Sequence, residues 1–175
     1  MNILQTICSK SVLKWGLGGV ALIALSSFTL PKYFVWNASS SIPKGLYLVL
    51  PDDNIRPGQI ALIQPTPYLA QWMDERSYLP VGVPLLKHVA ATKGTRVCRT
   101  GNVISIRARP VAAAKNVDRI GRLLPVWQGC IIVGKDQLFL LNDDRVDSLD
   151  GRYFGTLPAK NMLGRAVAIW TDDDA

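Results

Sequence analysis

What most limits the fold of this chain is the brevity of its apolar runs. Leu46–Leu50, Ile60–Ile63, Leu85–Ala90, Val103–Arg107, Ile131–Val133, Leu138–Leu141 and Leu163–Trp170 are separated by turn signals such as Pro-Gly, Lys-Gly and Thr-Gly-Asn. Runs this short suit strands better than helices. The 14 Gly and 11 Pro, which terminate regular elements, point the same way. With 49% hydrophobic and 19% charged residues the chain has the material for one core, and disorder is excluded for most of it. We expect a mainly β, antiparallel domain. Tyr68–Tyr78 has apolar residues near helical spacing and reads as a short helix or lid-like insertion lacking strong capping signals. Thr171–Ala175 reads as a solvated acidic tail.

Ahead of these runs, Trp15–Leu30 carries no charge. Lysines at both ends can snorkel, and Trp15, Tyr33 and Trp36 suit the two interfaces, so residues 15–36 are expected to form a single transmembrane anchor. Lys10 and Lys14 precede it without any acid, which by the positive-inside rule puts residues 1–14 in the cytoplasm and residues 37–175 outside it. The alternative is a cleaved signal peptide with Ala24-Leu25-Ser26 as its cleavage site. Either exports the body, where Cys98 and Cys130 are able to pair; two buried free thiols are the other reading.

The net charge of +7 is unevenly spread. Residues 76–135 hold eleven Lys or Arg against Asp118 alone, while residues 136–175 hold eight Asp against four Lys or Arg. A basic middle can bind nucleic acid or anionic lipid, but no nucleic-acid motif accompanies it, and an exported segment does not meet nucleic acid. A solvated basic face is the simpler reading. Cys8, Cys98, Cys130 and His88 show no zinc-ligand spacing, so neither metal nor other cofactor is expected.

Three constellations carry chemistry. The first, Asn37-Ala38-Ser39-Ser40-Ser41-Ile42-Pro43-Lys44-Gly45-Leu46-Tyr47, reads as a polar linker, as a formal glycosylation acceptor at Asn37, or as an S-x-x-K nucleophile motif from Ser41 to Lys44. Pro43 and Gly45 disfavour the helix that S-x-x-K needs. In the second, Lys87 stands inside the apolar run Leu85–Ala90, where desolvation would lower its pKa and fit it to deprotonate a serine. An edge-strand lysine is the plain alternative, and His88 is a rival base that alternation points to the opposite face. The third, Asn142–Gly155, lacks calcium-loop spacing; Asp150 and Arg152 would brace a turn, and Ser148 could hydrogen-bond a neighbouring lysine.

Taken in order, Ser-x-Pro-x-Gly-Leu-Tyr after an N-terminal span, Leu-Lys-His-Val-Ala, and Asp-Arg-x-x-Ser-x-Asp-x-Arg-Tyr-Phe-Gly resemble the type I signal peptidase superfamily (S26). The Ser-Ile-Pro-Lys-Gly-Leu-Tyr form is similar to its conjugative-transfer branch, the TraF type. The resemblance covers most of residues 12–170 and is thinnest between Arg99 and Gly134. It implies a signal-peptidase-like antiparallel β catalytic domain with one N-terminal helix, single-pass in the bacterial inner membrane and facing the periplasm. It further implies Ser41 as nucleophile, Lys87 as general base and Asp150 as the required acid, with Ser148 and Arg152 in support. The Ser41 N–H and the Ser39 hydroxyl would form the oxyanion hole, and Ser40 is a competing nucleophile. Thr95 and Gly151 depart from the pattern, which more often has Gly-Asp and Ser at these places. The implied partners are a prepilin-like preprotein, the inner membrane and other transfer components, with a general signal peptidase or a non-catalytic scaffold as alternatives.

Overall fold

A computed structural model describes Trp15 and residues 34–52 and 54–172. The expected cytoplasmic segment 1–14, most of the expected anchor and the alternative cleavage site therefore lie outside the described residues. Among the described residues no helix is long and apolar enough to cross a membrane.

Every apolar run named above lies in a strand or reaches one residue past it. The strands are β1 (Phe34–Asn37), β2 (Lys44–Leu50), β3 (Ile60–Ile63), β4 (Leu85–Ala91), β5 (Arg96–Thr100), β6 (Val103–Ile106), β7 (Arg109–Ala113), β8 (Gly129–Ile132), β9 (Gln137–Leu140), β10 (Thr156–Pro158) and β11 (Met162–Asp172). A seven-stranded sheet runs in the order β1-β2-β11-β3-β4-β9-β10, and a four-stranded sheet in the order β7-β6-β5-β8. All pairings are antiparallel. The protein is mainly β, as its short runs require.

Two expectations are corrected at the ends of the domain. Phe34–Trp36, assigned to the end of the anchor, form β1 and pair with Leu46–Leu48 of β2. Thr171 and Asp172, assigned to an acidic tail, extend β11 and pair with Gly45 and Lys44. In both places the partner strand supplies backbone hydrogen bonds that composition does not reveal.

β2 alternates cleanly, burying Gly45, Tyr47 and Val49. β4 does not, because it lies between β3 and β9 with core on both faces. Leu85 and Val89 join a cluster with Ile63, Leu138 and Leu140, while Leu86 joins Ile42, Tyr47, Val49 and Leu62 on the other side. Lys87 falls on the Leu85 and Val89 face. The edge-strand reading of this lysine is thereby excluded. The expected helix is α1, Pro67–Glu75, and its cap was overlooked: Thr66 Oγ1 accepts from Leu69 N at 3.4 Å, and Pro67 opens the first turn. Leu69, Ala70 and Met73 are buried, so α1 is part of the packed body rather than a loose lid.

The four-stranded sheet is built largely from the stretch where the resemblance is thinnest. Its β6–β7 hairpin turns on Arg107 and Ala108, both with positive φ, at 50° and 65°. Cys98 and Cys130 stand directly opposite each other in β5 and β8 and form a disulfide, so the free-thiol alternative does not hold. Val97 and Ile104 pack this sheet against Ala91, Phe139 and Leu141.

Gly45 has a steric reason. Its φ is +147°, and a Cβ there would lie 2.1 Å from the Trp170 carbonyl oxygen where β11 bulges past β2. Gly45→Ala should therefore lower stability by at least about 2 kcal/mol, since neither backbone can retreat; thermal unfolding of the purified full chain checks this.

Candidate active site

The loop between β1 and β2 holds the three serines, and its anchor is Asn37, which the sequence offers only as part of a linker or as a glycosylation acceptor. Asn37 is buried, and its amide nitrogen reaches the carbonyls of Ser39, Ile42 and Pro43 at 2.9, 3.1 and 3.0 Å. This commitment rules out Asn37 as a glycosylation acceptor. Ile42 is fully buried beneath the loop, and the Tyr47 hydroxyl donates to the Pro43 carbonyl at 2.7 Å. Ser41 sits in the turn, and Lys44, the lysine of the S-x-x-K reading, is exposed at the start of β2. No helical turn brings them together, so that reading fails.

Ser41 Oγ lies 3.1 Å from Ser39 Oγ, which in turn donates to Asn37 Oδ1 at 2.8 Å. A hydroxyl has a single proton to give, so Ser41 is the donor of that pair. Ser39 would have to turn away from Asn37 before it could donate to an oxyanion.

Lys87 reaches the same place from β4. It is 4% exposed, and its Nζ donates to Ser148 Oγ at 2.8 Å. Burial, opposed by the Asp150 carboxylate and aided by the Arg152 guanidinium, pushes its pKa down from 10.5 to about 8. Ser41 and Lys87 both line one cleft of about 790 Å³, together with Ser39, Ser40 and Ser148. Their side chains are not hydrogen-bonded to each other; each is held by its own serine. His88 is not among the lining residues, so it is no rival base here.

The acidic box is a buried brace. Asp150 and Arg152 form an ion pair at 2.8 Å, with side chains 0% and 1% exposed. Asp150 accepts from Arg152 N, Nε and Nη2 and from Asn142 N, and makes no hydrogen bond to Lys87. Asp150 also caps α2 (Gly151–Phe154), a single turn. Arg152 reaches the carbonyls of Asn142 at 2.7 Å and Ala113 at 3.2 Å, while Arg99 from β5 donates to the Arg152 carbonyl at 2.6 Å. Gly151 departs from the Ser of the usual pattern for a local reason: a Cβ would fall 2.7 Å from the Leu140 carbonyl oxygen and 2.8 Å from the Phe139 ring.

The second residue whose anchoring role the sequence hides is Asn142, fully buried just after β9. Its Nδ2 donates to the Ser41 carbonyl at 2.7 Å, and its Oδ1 accepts from His88 N at 2.9 Å and lies 3.1 Å from His88 Nδ1. One side chain thus ties the Ser41 loop to the backbone beside Lys87 and, through its own backbone, to Asp150 and Arg152. Among the described residues no group of three His, Cys, Asp or Glu side chains is placed to hold a metal ion. The arrangement offers a hydroxyl and an amine that gives up its proton more readily than an exposed lysine does, which are the parts of proton-assisted nucleophilic attack.

The chain matches the family described as signal peptidase, peptidase S26, over residues 9–171. It is 29% identical over 167 residues to the plasmid transfer protein TraF of Escherichia coli, covering 88% of this chain and 93% of that one. Its identity to the probable conjugal transfer protein TraF of Sinorhizobium fredii is 33% over 147 residues, covering 77% and 76%. A shorter match to signal peptidase I of Buchnera aphidicola, 51% over 43 residues, spans 25% of this chain and only 14% of that protein. A solved signal peptidase I from Enterococcus faecalis aligns with a TM-score of 0.39 at 17% identity, covering 64% of this chain and 96% of the other. This protein belongs to the signal peptidase family, peptidase S26.

Two outcomes follow from the geometry. Below pH 8 the Lys87 ammonium is charged in both the folded and the unfolded state, and the folded state bears its desolvation. Between pH 8 and 10.5 the unfolded chain binds the extra proton, so stability rises with pH. Lys87→Met should thus be more stable than wild type at pH 7, by about 1–3 kcal/mol, and that margin should close as pH approaches 10.5; urea unfolding at several pH values measures it. Asn142→Ala, which strands a buried carbonyl and a buried amide, should cost about 2–3 kcal/mol in the same assay.

Proposed function

We propose that this protein is a membrane-bound serine endopeptidase of signal peptidase type, with Ser41 as nucleophile and Lys87 as general base. The observation that carries the reading is a lysine buried to 4% exposure, its pKa brought to about 8, in the cleft that Ser41 lines. Neutral Lys87 takes the proton as Ser41 Oγ attacks the scissile carbonyl, then returns it to the leaving amine. For this the Ser41 hydroxyl turns from Ser39 toward Lys87, a tightening common when substrate fills a site. The oxyanion would meet the Ser41 N–H and, once rotated, the Ser39 hydroxyl. Ser148 orients the amine, and Asp150 acts at one remove through Arg152 and Asn142. The acyl-enzyme then yields to water, or to the substrate's own amine with formation of a cyclic product.

The TraF relatives are transfer proteins by name, which supports a pilin-like preprotein of conjugative transfer as substrate and other transfer components as partners. General preprotein cleavage and a non-catalytic scaffold role are the alternatives. The reading places residues 37–175 on the periplasmic side of the inner membrane, where an oxidising space suits the Cys98–Cys130 disulfide. Exposed Phe34, Trp36, Ile169 and Trp170, with the two indoles stacked at 5.8 Å, suit a membrane interface beside an anchored N-terminus.

Coexpression with a tagged candidate prepilin tests the assignment. Ser41→Ala and Lys87→Ala should each slow processing on the order of 10³-fold or more at matched membrane levels, while Ser40→Ala processes normally. In vitro kcat/KM should rise with pH and level off above the Lys87 value of about 8. A product one water lighter than the linear peptide reveals cyclisation; normal processing by both Ala variants would favour the scaffold.

A further inference from the structure

Away from Ser41 and Lys87, the cleft carries more positive charge than its own acids neutralise. Its walls there bear Arg76, Lys115, Arg119 and Arg122 against Asp118 and Asp147. Arg122 is matched with Asp118 at 2.7 Å. Lys115 and Arg119 share the single carboxylate of Asp147, Arg119 at 3.0 Å. Arg76 has no acid among the described residues: its guanidinium lies 4.7 Å over the Trp72 ring and makes one long bond, 3.4 Å, to the Leu123 carbonyl. Four cations against two carboxylates leave a formal excess of two positive charges beside the proposed reaction centre. The bonds from Lys115 and Arg119 hold the Asp147 carboxyl below its usual range, so it stays ionised and opposes any further acid bound directly against it.

Stacking on Trp72 fixes the Arg76 side chain before anything binds, so little rotamer freedom is lost when its remaining N–H groups meet a carboxylate. A nucleic-acid strand fits this wall poorly. It brings one charge per nucleotide, and here two carboxylates and the apolar side chains of Val117 and Ile120 interrupt the cations. An extended peptide with a single acidic side chain matches both the charge excess and the apolar intervals.

We propose that the polypeptide processed at Ser41 carries an acidic side chain in the segment lying along this wall, and that Arg76 is its partner and a determinant of specificity. The inference rests on the peptidase reading and narrows its substrate class.

The test uses the full chain in detergent with three peptide series in which Glu, Gln or Lys is moved one position at a time along the sequence flanking the cleavage segment. Binding to the Ser41→Ala protein is followed by fluorescence anisotropy, and cleavage by wild type is measured separately. Glu should bind tighter than Gln at one or two positions by about fivefold at low salt, less at high salt. Arg76→Glu should reverse the order so that Lys binds better than Glu, a gain that misfolding cannot mimic. Arg76→Gln, which keeps length and polarity, should abolish the preference without reversing it. Equal binding of Glu and Gln at every position, or an order unchanged in Arg76→Glu, overturns the proposal. Cleavage by wild type without any charge preference overturns it too, and leaves the peptidase reading standing. A Glu preference in binding with no cleavage of any peptide overturns the peptidase reading and leaves the cleft an acidic-peptide receptor.

Discussion

The buried ion pair between Asp150 and Arg152 is the constraint on which the rest of the architecture depends. Removing two charges from water is costly, and such pairs are seldom a net source of stability. What this one supplies is connection. The Arg152 guanidinium, having engaged Asp150, still has donors for the carbonyls of Asn142 and Ala113, and the Arg152 carbonyl receives Arg99. The segment after β9, the end of β7 and the middle of β5 therefore meet at one residue. Losing either partner would leave a naked charge in a closed space, a defect of about 3–5 kcal/mol, and would release both sheets from their common point.

The same pair explains how Lys87 can be buried without being locked in its charged form. A lone carboxylate nearby would hold the proton on the lysine. Here the Asp150 charge is answered by Arg152, whose effect on Lys87 has the opposite sign, and burial decides the outcome. Ser148 supplies the amine with a hydrogen-bond partner that satisfies it in either protonation state. The acidic box thus sets the environment of the buried amine while leaving the lysine's own hydrogen bonds uncharged.

Legibility in the sequence followed the physics of each element. The strands with apolar runs were readable, because burial on a pleated surface leaves a compositional trace. β5, β7 and β10 were not: Arg96, Arg99, Arg109 and Pro158 give them polar or broken patterns, and their hydrogen bonding depends on neighbours distant in sequence. The β6–β7 hairpin was hidden because Arg107 and Ala108 occupy positions where Asn-Gly would have announced a turn. α1 showed its cap in Thr66-Pro67, a signal that was present and unused. In the site, Ser41, Lys87, Ser148, Asp150 and Arg152 were singled out, and the fold draws them around one cleft and the brace behind it. The anchoring roles of Asn37 and Asn142 were hidden for different reasons. Asn37 looked like part of a polar linker. Asn142 stood beside a run of acids, and the partners that give it meaning lie 54 and 101 residues away.

The place of β11 has a consequence for how such a molecule comes into being. It is the last described strand in sequence, yet it lies between β2 and β3 rather than at an edge. Until Met162–Asp172 leave the ribosome, the serine-bearing β1–β2 hairpin and the lysine-bearing β3–β4 pair have no shared ladder to align them. A nascent chain has every residue of the proposed chemistry well before it has the strand that assembles them. The sheet is therefore closed only by its last described strand, and a chain lacking Met162–Asp172 would lose the seam of that sheet rather than a dispensable fringe.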